Sequence, residues 1–248
     1  MSRGRLPDFL IIGAQKSGTT SLQFYLQSHP DIGPNVLGEP HFFDWAWKRG
    51  VDWYRDLFAE LDPHALVGEK SPFYLFHPQV PERVASTVPD ARLVAILRDP
   101  VDRALSHYFH AVRWHNESRP IEEAFKDEEG AVNQQEDPRA YDEQQSDLVR
   151  HSYLRRGLYA EQLERWLQYF PPSQLLVLET RELTRSGPGG FHRVLDFLGL
   201  ERKDPPRGEF NRGSYDDVGH RLRDHLSRFF RPHNQKLFHL VGREWDWN

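Results

Sequence analysis

The chain of 248 residues contains no cysteine and a single methionine. Without thiols it forms neither disulfides nor thiolate metal sites, so a reducing, cytoplasmic setting is expected. Long hydrophobic runs are also missing, and none approaches the ~20 apolar residues of a membrane span. Met1 to Arg5 is short and basic, and the apolar run after it is too brief for a signal peptide. Nor is there an excess of positive charge. A formal net charge of −5 argues against a general nucleic-acid binder while leaving room for a locally basic cleft. No internal repeat or low-complexity tract occurs. Hydrophobic residues reach 38%, but 7 Trp, 16 Phe and 9 Tyr supply large apolar area per residue. The whole chain, 1–248, is therefore read as one α/β domain.

What is present is organised around PDFLIIGAQKSGTTSLQFYLQS, Pro7 to Ser28. Phe9-Leu10-Ile11-Ile12 reads as a buried strand that breaks at Gly13 into a small, polar loop, Ala14 to Gly18. A helix opens at Thr19-Thr20, with Leu22, Tyr25 and Leu26 on one apolar face. Strand, glycine loop and helix N-terminus make an anion cradle, because the first N–H groups of the helix lack intrahelical partners and its dipole favours negative charge. A phosphate suits it. The triphosphate signature G-x-x-x-x-G-K-[ST] places a lysine directly after the second glycine. Here Gly13 and Gly18 keep the spacing, but Thr19 stands at the lysine position and the loop's lysine is Lys16. The loop therefore suits a nucleotide with one 5′-phosphate and a reacting group beside it.

Further along, Ala65 to Gly68, Arg92 to Leu97 and Gln174 to Leu178 read as strands. Trp53 to Phe58, Val80 to Thr87, Val101 to about Val112, and Leu158 to Phe170 read as helices. Strands alternating with helices imply a P-loop-like, doubly wound parallel sheet flanked by helices, with chemistry at the strands' carboxyl ends. The span 127–147, rich in Glu, Asp and Gln, reads as a flexible acidic insertion, either a substrate-covering flap or a surface loop. Two amphipathic helices around Pro232 and an aromatic anchor of Trp245 and Trp247 are expected at the end.

Several residues after strands could carry chemistry. Arg98, with Ser106 eight residues on in the next helix, could bind a second phosphate. Equally, Arg98 could pair with Asp99 or Asp102. Glu39 and His41 lie in a loop, where the plain alternatives are a solvated charge and a core histidine. Lys70 could reach an active site or pair with Glu69 at the surface.

The segments GAQKSGTTSL after PDFLI, EPHFFD, EKSP, LVAILRDPVDRALSHY and FFRPHNQKLFHLVGREWDW occur in this order. Together they resemble sulfotransferases that use 3′-phosphoadenosine 5′-phosphosulfate, in the branch of the heparan sulfate sulfotransferases and their soluble bacterial relatives. The resemblance implies that Lys16, Ser17, Gly18, Thr19 and Thr20 bind the 5′-phosphosulfate. It implies that Arg98 and Ser106 bind the 3′-phosphate, with no metal required. Lys16 would offset charge on the leaving phosphate. Glu39 would be the general base, His41 and Asp44 would orient the acceptor or hold the loop, and Lys70 would reach the active site.

The sequence departs from that pattern in places. Gly38 stands where the branch usually has lysine, and the late cysteine pair is missing. Arg212 and Gly213, in Asn211 to Ser214, only partly stand in for a Lys-Gly-Arg loop against the nucleotide. The lost lysine and the acidic balance favour a glycan, glycolipid or small hydroxylated metabolite over a long polyanion, and a hydroxyl acceptor is expected before an amine. The rivals are a P-loop kinase or NTPase and a nucleotide-binding protein that has lost the chemistry.

Overall fold

The computed structural model describes residues 4–33, 38–59, 61–62, 64–184, 188–206 and 218–247. Its strands are β1 (Phe9–Gly13), β2 (Gly68–Lys70), β3 (Arg92–Leu97) and β4 (Leu175–Glu179). In chain order its helices are α1 (Thr19–Gln27), α2 (Val51–Asp56), α3 (Val80–Thr87), α4 (Pro100–Trp114), α5 (Ile121–Ala131) and α6 (Pro138–Asp142). They continue with α7 (Asp147–His151), α8 (Tyr159–Leu167), α9 (Thr180–Thr184), α10 (Gly189–Leu198) and α11 (His220–Val241). Two compact units emerge, Met1–Leu97 with Arg165–Phe210 and Arg98–Glu164 with Asn211–Asn248.

The first unit holds the sheet. All pairings are parallel, in the order β2-β1-β3-β4. Parallel strands need covered faces, and their sequences run apolar without alternation for that reason. On one face Phe9, Ile11, Val94, Ile96 and Leu178 pack against Leu22, Tyr25 and Leu26 of α1 and Phe191, Val194, Leu195 and Leu198 of α10. Leu10, Ile12, Leu93, Ala95 and Leu97, pointing the other way, are buried as well. Each large apolar side chain so buried contributes about 1.5–3 kcal/mol. The expected doubly wound architecture is thus present, and β1, β3 and α3 fall where the sequence places them. Strand β2 does not. It starts at Gly68 rather than Ala65, because Phe9 takes Gly68 as its cross-strand partner and Ile11 takes Lys70.

The second unit is helical. Val101, Ala104, Leu105 and Tyr108 of α4 pack with Phe125 of α5, Tyr153 and Leu154, and Leu226 and Phe230 of α11. The last segment is one helix, not the expected pair, and Pro232 lies inside it. An interior proline costs roughly 3 kcal/mol. Pro232 is exposed, while Leu226, Phe230 and Leu237 continue one buried stripe past it, and their burial offsets that cost. Trp245 and Trp247 stack at 4.9 Å, and Trp247 lies against Tyr159 and Phe238, giving the expected anchor.

The acidic span 127–147 carries helical turns. Asp137 caps α6 and Ser146 caps α7 through side-chain bonds to backbone N–H groups. Within it, Glu128 accepts the N–H groups of Leu154 (2.8 Å) and Arg155 (3.0 Å), and Glu136 pairs with Arg155. Composition alone conceals such inward-facing carboxylates.

Candidate active site

In the first unit the loop 14–18, Lys70 and Thr180 each lie at the end of a strand, and Glu39, His41 and Asp44 lie in the loop before α2. Strand β1 feeds the loop 14–18, which is tied down by Ala14 N–H to the Ile96 carbonyl (2.7 Å) and by Ser17 N–H to the Ala14 carbonyl (3.2 Å). At the start of β4's helix, the Thr180 hydroxyl lies 2.8 Å from the Ser17 carbonyl and 2.9 Å from that of Leu97, bracing the loop from the far side. The sequence reading missed this brace. Gly18 caps α1 at φ 97°, a left-handed conformation that glycine adopts freely, and no side chain caps the helix there. The first turn therefore keeps its N–H groups for an anion. Ser17 is fully buried, and its Oγ has no hydrogen-bond partner among the described residues. A buried hydroxyl of that kind, beside a helix N-terminus, fits a phosphate or sulfonate oxygen. Thr19 is buried and Thr20 exposed.

Three of the catalytic candidates, Lys70, Glu39 and His41, form one chain of contacts. Lys70, at the end of β2, places its ammonium 2.8 Å from Glu39 Oε1 and 3.2 Å from Thr20 Oγ1. The second Glu39 oxygen lies 3.1 Å from His41 Nε2, and His41 Nδ1 lies 2.7 Å from Asp44 Oδ2. Asp44 is buried and accepts the Trp45 N–H at 2.6 Å, while the Trp45 ring stacks on the imidazole at 3.9 Å. Thus Thr20, Lys70, Glu39, His41 and Asp44 are brought together, and Lys70 is paired with Glu39 rather than with Glu69. Trp45 was not foreseen. Lys16 and His41 both adopt positive φ, 70° and 50°. Non-glycine residues rarely do so, and such backbone collects at functional sites.

The electrostatics follow from the contacts. Burial alone would raise the Glu39 carboxyl, but the His41 hydrogen bond and the Lys70 charge outweigh it and hold the pKa below the ordinary value. Burial would lower His41, yet hydrogen bonds to Asp44 and Glu39 push it up to about 9. At neutral pH Glu39 is therefore a carboxylate and His41 an imidazolium.

Arg98 and Ser106 belong to the second unit. There the Arg98 guanidinium lies 3.7 Å from Asp102, which also pairs with Arg223 at 3.0 Å, and Tyr159 donates to the Arg98 carbonyl at 3.0 Å. Asp99 caps α4 by accepting the N–H groups of Val101 and Asp102, and Ser106 lies on the buried face of that helix. Arg212 and Gly213 lie outside the described residues. Among those described, no helix is long and apolar enough to cross a membrane.

Known proteins resemble this chain over almost its whole length. A crystal structure of a sulfotransferase from Alicyclobacillus acidocaldarius matches it with a TM-score of 0.79 and 32% identity, covering 97% of this chain and 98% of that one. The heparan sulfate glucosamine 3-O-sulfotransferase 3B1 of Mus musculus is 30% identical over 98% of this chain, which spans 65% of that relative's length. The human bifunctional heparan sulfate N-deacetylase/N-sulfotransferase 3 is 34% identical over 96% of this chain and 30% of its own length. None of this supports the kinase alternative. Residues 6–223 match the family described as the sulfotransferase domain, and the chain belongs to that sulfotransferase family.

Proposed function

We propose that the protein transfers a sulfuryl group from 3′-phosphoadenosine 5′-phosphosulfate to a hydroxyl of a glycan, glycolipid or small metabolite. One observation carries this reading. The Lys70–Glu39–His41–Asp44 row reaches the first turn of α1 through Thr20, so an ionised carboxylate stands beside an anion cradle. The family match runs across both units, and 1–248 is taken as one functional domain.

When bound, the donor supplies an activated sulfuryl group on a bisphosphate leaving group. The residues present fit it: the unpartnered Ser17 hydroxyl and the N–H groups that open α1 suit its 5′ end. In this reading Lys16, Ser17, Gly18, Thr19 and Thr20 hold the phosphosulfate, and Lys16 offsets charge on the departing phosphate. Arg98 and Ser106 hold the 3′-phosphate, with Arg212 and Gly213 as further donor contacts. Glu39, ionised across the neutral range, takes the proton of the acceptor hydroxyl on a carboxylate oxygen. His41, fixed by Asp44, orients that carboxylate, and Lys70 balances its charge. Similarity to an N-sulfotransferase makes an amine the second acceptor class.

The test has two arms. Calorimetric titration of adenosine 3′,5′-bisphosphate into folded protein should give saturable heat. Labelled sulfate should also pass from the donor to one of a panel of hydroxylated acceptors. Folded protein that gives no heat with the bisphosphate would overturn the donor assignment. Binding without transfer to any acceptor would leave a nucleotide-binding protein that has lost the chemistry.

A further inference from the structure

We propose that Glu69 is a positioning residue for the loop that carries Glu39, His41 and Asp44, acting through two hydroxyls that grip the loop backbone. This rests on the reading of Glu39 as the base. Glu69 precedes Lys70 on β2, and because successive strand residues face opposite ways, its side chain turns from the site into the interior. It is 2% exposed. Ser71 donates to one carboxylate oxygen at 2.9 Å and Tyr54 to the other at 3.1 Å, and the Tyr74 hydroxyl also bonds the carboxyl.

A hydroxyl has one proton and two lone pairs. With the protons of Ser71 and Tyr74 turned toward Glu69, their lone pairs face outward. The Ser71 oxygen receives the His41 N–H at 3.1 Å, and the Tyr74 oxygen receives the Phe43 N–H at 3.2 Å. Between them, Phe42 stacks on the Tyr54 ring at 4.2 Å and 9°. Residues 41, 42 and 43 are therefore each held by a group bonded to the same carboxylate. His41 needs such a hold, since its positive φ persists only where the surroundings fix it.

Burial raises Glu69 to about 7, against the three hydroxyls and the nearby His41 charge, which pull the other way. A buried carboxyl is costly, and an apolar residue would fill the space more cheaply. An apolar residue, however, could not orient two hydroxyls. Glutamine could not either, because only one arm of an amide accepts.

The experiment is a double-mutant cycle on the full chain with Glu69→Gln and Ser71→Ala. Each single variant should lower kcat about tenfold while donor KM moves less than about threefold, and the double should fall no more than about threefold below Ser71→Ala alone. Amide hydrogen exchange at His41 should quicken about tenfold in both single variants. Independent losses that multiply to about 100-fold in the double variant would overturn the proposal. So would a folded Glu69→Gln enzyme with full kcat, or one whose donor KM rises in step with its kcat loss. If Glu69→Gln fails to fold, Tyr74→Phe takes its place, with faster exchange at Phe43 expected and unchanged exchange overturning the idea. Glu39→Gln is measured alongside. Full turnover in that variant removes the base assignment, and protection at His41 and Phe43 then still decides whether Glu69 holds the loop.

Discussion

Lys70 and Glu39 meet across a steep gradient of burial: the lysine side chain is 6% exposed and the glutamate 39%, with 2.8 Å between their charges. The ammonium is fixed by its strand, and the carboxylate is the end open to an arriving hydroxyl. Replacing Glu39 with glutamine keeps the shape and removes the proposed base. Glu39→Gln should therefore lower kcat by roughly 10² or more and leave bisphosphate affinity nearly unchanged. Steady-state kinetics with a calorimetric titration checks both, and a variant with undiminished kcat would exclude Glu39 as the base.

Arg98 offers a contrast between structural and binding roles. Its pair with Asp102, at 3.7 Å and partly exposed, is worth little to stability. A charge-assisted bond to a phosphate is worth about 1.5–3 kcal/mol, or roughly 10- to 100-fold in affinity. Arg98→Ala should weaken adenosine 3′,5′-bisphosphate by that factor and change Tm little. Adenosine 5′-phosphosulfate, which lacks the 3′-phosphate, should bind as before. Equal weakening of the two nucleotides would remove Arg98 from that role.

Stability should depend on pH through His41. Its pKa rises from 6.5 to about 9 on folding, so the stabilisation is complete below about 6.5 and is lost as pH climbs through about 9. The urea-unfolding free energy of the wild type should exceed that of His41→Gln most at pH 6, and the gap should close toward pH 10. A gap that widened with pH would contradict the charged row.

Gly68 lies opposite Phe9, and a Cβ there would come within 2.3 Å of the Phe9 ring. That ring is buried, so the clash forces it or the strand to shift. Gly68→Ala should cost about 1–3 kcal/mol by overpacking, seen in urea titrations. Adding Phe9→Leu should recover part of the loss. Additive losses would show that the clash is not the cause.

The cradle was legible because strand, loop and helix are all local. Phe9 to Thr20 needs no distant partner to be recognised, and β3 is a bare apolar run. Lys70 was harder. Its plain alternative, a surface pair with Glu69, fails because neighbours on a strand point to opposite sides, and β2 was placed three residues early. A corrected strand end would have separated the two side chains. The unbroken α11 escaped because a proline on the wet side of a helix reads locally like one that ends it. The Thr180 brace and the Trp45 stack join residues through the fold, and no spacing in the sequence announces them.

The register that sets Ile11 beside Lys70 matters for engineering. Lys70 and the loop 14–18 are rooted in adjacent strands, about 4.8 Å apart, and hydrogen bonds within the sheet lock that interval. Outer segments can thus be grafted from relatives to alter acceptor preference, while this two-strand chassis stays untouched and keeps the proposed reacting groups in gauge.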